Sequence, residues 1–141
     1  MDKETKREII LDNYHNPFNR GLVNDNTYIK VNTRSSSCID NIDLMVKIEN
    51  GKIVDACFDG EACAICTSST SIIVKSLIGK TLEEARDIIK NYQNMINEEE
   101  YNPEVLGELN VFDDIYMQPA RKNCALLTSK SATKIFDEVG K

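Results

Sequence analysis

Tryptophan is absent, and the single histidine is His15. No general base such as a His-Glu pair sits near any cysteine, which argues against a zinc hydrolase. No run of about 18 apolar residues occurs, so no transmembrane helix is expected. The opening stretch MDKETKREIILDNYHNP is charged and has no apolar core, so no signal peptide is expected either. A cytoplasmic location follows as the default expectation. There is no basic run to neutralise phosphates, which sets nucleic acid aside. Acidic residues number 23 against 17 basic ones, a net charge of −6. Solubility is the simplest reading of that balance. Internal repeats and low-complexity segments are also missing.

What is present is an ordinary globular composition, 41% hydrophobic and 28% charged. Its 141 residues suit one domain, 1–141, able to bury well over half of its unfolded surface. Such a chain needs neither a disulfide nor a metal merely to fold. It nevertheless carries five cysteines. An odd number in a reducing compartment reads as thiols, metal ligands or reactive groups, not as a disulfide framework.

The pattern along the chain predicts a helix, three strands and then further helices. Asp2 caps the first helix, Ile9, Ile10 and Tyr14 give its apolar side, and Asn16-Pro17 stops it. Residues 16–26 read as a loop, and Tyr28, Ile29 and Val31 as a short strand. Residues 41–49 alternate, with Ile42, Leu44, Val46 and Ile48 on one side. Asn50-Gly51 then signals a hairpin. A two-residue turn pairs Ile48 with Ile53 and Val46 with Asp55, which sends Asp55 and Asp59 to the apolar face. A three-residue loop with Gly51 left-handed pairs Val46 with Val54, Leu44 with Ala56 and Ile42 with Phe58. The second register keeps the apolar face apolar and is the expected one. It places Cys57 on the polar face with Asp55 and Asp59. Residues 64–78 predict a helix ended by Gly79. Thr81 to Glu84 form a capping box that opens another, with Leu82, Ala85, Ile88, Ile89 and Tyr92 as its stripe. Residues 94–119 are irregular, with a short helix expected near 103–107, and a last helix is expected from about Cys124 to Val139. The fold class expected is α+β, a small three-stranded antiparallel sheet with helices packed on one face.

Chemistry gathers at the cysteines. Cys38 lies in a polar loop after Ser35, Ser36 and Ser37. Cys63 lies between a strand and a helix, and Cys124 at or near the start of the last helix. Unpaired N–H groups at a helix start favour thiolate, the form that binds metal or attacks sulfur. Asp40 stands two residues beyond Cys38 and points the same way in extended chain. Three sulfurs and one oxygen suit tetrahedral zinc, and three thiolates suit an iron–sulfur cluster. Against this stands the plain reading that a free cysteine fills core. The separations of 25 and 61 positions match no compact zinc finger. Cys63 and Cys66 also form a C-x-x-C pair, the pattern of a thioredoxin-like redox site, but an antiparallel hairpin precedes it where that motif expects a parallel βαβ unit. On a helix Cys66 faces much as Cys63 does, which sets it beside the site and leaves open whether it is a ligand as well. His15 reads as a helix-end histidine, and residues 97–100, NEEE, as a solvated loop.

Taken in order, YHNPFNRG, SCID, DACFDGEACAIC, GKTLEEA and QPARKNCALL resemble the U-type iron–sulfur scaffold family, which includes the IscU, SufU and NifU N-terminal proteins. The resemblance covers almost the whole chain and implies a SufE/NifU-like fold. It implies metal binding at Cys38, Asp40, Cys63 and Cys124, which match the family's ligands. The first, third and fourth of these would hold a [2Fe–2S] cluster. Asn123 stands where the IscU branch has histidine, and residues 94–119 resemble the insertion of the SufU branch. By that branch's behaviour the cofactor is zinc, Cys38 accepts persulfide sulfur from a SufS-like cysteine desulfurase, and downstream iron–sulfur assembly proteins receive it. The alternative is a non-enzymatic scaffold on which a [2Fe–2S] cluster is built. Arg121 would neighbour the site and pair with Asp40 when metal leaves. Three positions depart from the family: Ile39 and Ala62 replace glycines, and Cys66 replaces a serine or similar residue.

Overall fold

A computed structural model describes residues 1–35 and 39–140. Ser36, Ser37 and Cys38, and the expectations attached to them, lie outside the described residues. The first helix, α1, spans Lys3–His15; Asp2 caps it by accepting the Thr5 N–H at 2.7 Å. It ends at Asn16, ahead of Pro17, as proline sterics require. Three strands follow, β1 (Ile29–Arg34), β2 (Asn41–Glu49) and β3 (Lys52–Glu61), antiparallel in the order β1-β2-β3.

The hairpin register differs from the expected one. Glu49 pairs with Lys52 and Ile48 with Ile53 around a two-residue turn, Asn50-Gly51, both at positive φ. A bulge then intervenes, and Lys47 pairs with Asp55, Val46 with Ala56 and Leu44 with Phe58. The extra residue is Val54, which is exposed, while Ile53, Ala56 and Phe58 are fully buried. A bulge combines the favoured tight turn with an apolar inner face, an option that neither uniform register offers. Cys57 keeps the parity of Asp55 and Asp59, but its position is buried, not polar. The chain between α1 and β1 returns along β3, where the Phe58 carbonyl accepts the Gly21 N–H and the Phe58 N–H donates to the Asn19 carbonyl.

Helix α2 (Ala64–Leu77) ends before Gly79, whose φ of +86° suits a glycine stop. Helix α3 (Leu82–Ile96) opens with the capping box of Thr81 and Glu84, and Ala85, Ile88, Ile89 and Tyr92 are buried. The region expected to hold one short helix instead holds three 3-10 helices, Pro103–Val105, Gly107–Phe112 and Ile115–Met117. The last helix, α4, spans Pro119–Val139 and so begins five residues earlier than expected. Pro119 starts it because proline fits the first turn, where its missing N–H costs nothing. Helices α2 and α4 pack on the sheet, with α1 against α2 and α3 against α4. Thr70 and Thr128 join α2 to α4 by a buried hydroxyl hydrogen bond of 2.6 Å. The arrangement is α+β. No described helix is long and apolar enough to cross a membrane.

Candidate metal centre

Asp40 stands at the entrance to β2, where the Ser35 N–H donates to its carbonyl at 2.9 Å. Its carboxylate is 1% exposed. Oδ1 accepts the Cys63 N–H at 2.8 Å, and Oδ2 lies 3.8 Å from Cys63 Sγ. This close approach of strand ends depends on Gly60, opposite Ile42 at φ +138°. A Cβ there would lie 2.0 Å from the Asn41 carbonyl oxygen.

Cys63 is the N-cap of α2, and its Sγ accepts the Cys66 N–H at 3.4 Å. A cap position with extended backbone normally takes Ser, Thr, Asp or Asn; sulfur fills the role here, and the helix end favours its thiolate. Cys124 is 2% exposed and lies in the second turn of α4, not at its start. The helix-end argument therefore applies to Cys63 alone. Burial, then hydrogen bonds with Asp40 and Cys63, push the Cys124 thiol well above its ordinary pKa.

Asp40, Cys63 and Cys124 converge: one ligand atom of each lies within 4.8 Å of the others. Among the described residues this is the one such group of three. Three potential anions share a largely buried corner, and among the described residues Asp40 forms no ion pair. Buried carboxylate without a counter-charge is costly, and a divalent cation would supply the missing charge. Two sulfurs and one oxygen fit zinc, with a further ligand required to complete a tetrahedron.

Cys66 is fully buried three residues into α2 and is not among the converging donors. Burial, followed by the charges of Asp40 and Cys63, pushes its thiol up strongly. Cys57 is buried on β3, its thiol raised by burial and then by Asp55. Arg121 lies exposed in the first turn of α4. His15 is the exposed last residue of α1, its ring 5.1 Å from that of Tyr14. Residues 97–100 are exposed, as expected of a solvated loop. The hydrogen bond from the Cys63 backbone to Asp40 was not legible in the sequence, because it joins residues on two separate loops.

Residues 5–125 match the family described as NifU-like N terminal domain. The chain is 33% identical over 129 residues to the zinc-dependent sulfurtransferase SufU of Bacillus subtilis, covering 91% of this chain and 86% of that one. It is 31% identical over 134 residues to the iron–sulfur cluster assembly scaffold protein IscU of Thermotoga maritima, covering 95% and 94%. The crystal structure of the SUF-system protein FiSufU from Fervidobacterium islandicum superposes with a TM-score of 0.79 at 32% identity, covering 89% of this chain and 92% of the other. Shared order of motifs, shared fold and shared sequence agree: the chain belongs to the NifU-like N-terminal domain family.

Proposed function

We propose that this chain, a single domain over residues 1–141, is a cytoplasmic iron–sulfur cluster assembly protein. It binds zinc through Cys38, Asp40, Cys63 and Cys124 and accepts persulfide sulfur from a cysteine desulfurase of the SufS type. The observation that carries the reading is the convergence of Asp40, Cys63 and Cys124 from three separate elements. Core cysteines have no reason to gather around a buried carboxylate. The Bacillus relative is named for zinc-dependent sulfur transfer. The 3-10 segment ahead of Cys124, and Asn123 directly before it, favour the same branch.

Bound zinc would hold the cysteine sulfurs as thiolates and restrain their reactivity. Cys63 and Cys124 keep their sulfurs fixed on α2 and α4, and Asp40 adds the most easily exchanged donor. Cys38 is the sulfur acceptor. Once released, its thiolate attacks the outer sulfur of the desulfurase persulfide. A new sulfur–sulfur bond forms, the old one breaks, and the desulfurase cysteine leaves as thiolate. The sulfur keeps its oxidation state, so no outside reductant is needed. Cys38 then carries the persulfide to downstream assembly proteins.

A second reading takes a [2Fe–2S] cluster as cargo on Cys38, Cys63 and Cys124. It draws support from the Thermotoga relative, named as a scaffold and matched over nearly its whole length. Metal analysis of protein purified without added metal separates the two. About one zinc per chain, no visible absorbance and faster desulfurase turnover on its addition support the sulfur-acceptor reading. Iron with acid-labile sulfide and visible charge-transfer bands support the scaffold. Neither metal, with all cysteines freely titratable, sinks both.

A further inference from the structure

We propose that Cys66 is a reserve metal ligand, which joins Asp40, Cys63 and Cys124 around one ion when the fourth thiolate leaves to take up sulfur. This rests on the zinc site proposed above and goes beyond it, since the chain then needs no outside group to keep the ion four-coordinate.

Position makes the case. Cys63 and Cys66 have the C-x-x-C spacing by which one chain commonly grips one tetrahedral ion. Cys63 is the N-cap of α2 and Cys66 stands three residues on, within the first turn of the same helix. Side chains on a helix lean towards its N-terminus, which directs Cys66 back to Cys63. The turn between them is already fastened, because the Cys66 N–H donates to Cys63 Sγ at 3.4 Å. Two sulfurs sharing one tetrahedral zinc sit roughly 3.8 Å apart, given zinc–sulfur bonds of about 2.3 Å. Cys66 Sγ is not among the converging donors at present, and the proposal requires it to turn towards them by a change of side-chain rotamer.

Burial gives the residue its distinct role. Cys66 is 0% exposed, whereas Cys63 is partly open. A persulfide arriving from outside cannot reach Cys66, but an ion held on Cys63 and Cys124 can. Cys57, the other fully described thiol outside the donor set, lies on β3 against the Val23 backbone and Asp55. In the exchange the Cys66 thiol gives up its proton to solvent as its sulfur binds the ion, and the departing ligand leaves as thiolate. No electrons move.

Cobalt(II) is the probe, because sulfur-to-cobalt charge transfer reports the number of bound thiolates and the visible bands report four-coordination. The unsubstituted chain is compared with Cys38→Ser, Cys66→Ser and the double variant, and Cys66→Ala replaces Cys66→Ser in a parallel set. Circular dichroism of each metal-free variant selects the set that folds. The expected result is that Cys66→Ser alone changes little. Cys38→Ser still binds one cobalt with three thiolates in four-coordinate geometry. The double variant loses one thiolate and at least about tenfold in affinity relative to Cys38→Ser. Equal affinity and thiolate count in Cys38→Ser and the double variant would overturn the inference while leaving the zinc site intact. A Cys63–Cys66 disulfide forming in Cys38→Ser in place of metal binding would do the same. Failure of the unsubstituted chain to bind cobalt would remove the site and the inference together.

Discussion

Asp40 shows how one residue serves both fold and site. Its Oδ1 holds the Cys63 N–H, and its other oxygen lies 3.8 Å from Cys63 Sγ. Asp40→Ala leaves that buried N–H unpartnered, and we expect a loss of about 1–3 kcal/mol in urea unfolding of metal-free protein. Asp40→Asn keeps an acceptor and is expected to lose less than about 1 kcal/mol, yet to bind zinc more weakly because the charge is gone. Calorimetric titration with zinc separates the two roles. Gly60 is equally local. Its φ of +138° and the 2.0 Å clash awaiting a Cβ predict that Gly60→Ala loses about 3 kcal/mol or more, read as a lower urea midpoint. The aspartate was readable from its spacing to Cys38. Its bond to the Cys63 backbone was not, because 23 residues of chain separate them.

At the scale of elements, helix α2 offers a clean separation of cap from ligand. Cys63→Ser retains a side-chain acceptor at the N-cap, so metal-free stability should change by less than about 0.5 kcal/mol, whereas Cys63→Ala should lose about 1 kcal/mol. Both should lose metal. Equal metal-free stability of the two variants by urea unfolding would contradict the capping role of the sulfur. Helix α3 gives the control: Thr81→Ala breaks its capping box and should lose about 1 kcal/mol without altering zinc affinity. Periodicity and caps made α1, α2 and α3 readable almost to the residue. The β2–β3 hairpin was readable as a hairpin but not in register. Local pattern weighed two uniform pairings, and the chain adopted a bulge at Val54 that satisfies turn and core together. The start of helix α4 was not readable, because PARKN, which opens it, carries no apolar periodicity of its own.

At the scale of the whole molecule, folding and the proposed metal binding are linked through protons. Folding raises the Cys66 and Cys124 thiols above their ordinary value of 9.0, chiefly by burial. Tyr28, which donates to Asp55, is raised from 10.0 to about 12. A group raised in the folded state contributes stability below its unfolded pKa and loses it as pH climbs towards the folded one. Metal-free protein should therefore weaken as pH rises above about 9, and Tyr28→Phe should flatten the part of that decline between 10 and 12. Urea midpoints measured across pH check both. Zinc acts oppositely, since binding requires the thiolates: free zinc at 100 times Kd should add about 2.7 kcal/mol, with a rise in Tm of roughly 10 °C, and acid should erase the gain. The sequence by itself determined the order of the helices and strands and the α+β class, and it offered candidate metal ligands, because periodicity, caps and side-chain chemistry are local properties. Only the tertiary structure decided that Asp40, Cys63 and Cys124 meet within 4.8 Å while Cys57 and Cys66 are buried outside that group. Those outcomes depend on how α2 and α4 pack on the sheet, and packing between distant segments leaves no local trace in the chain.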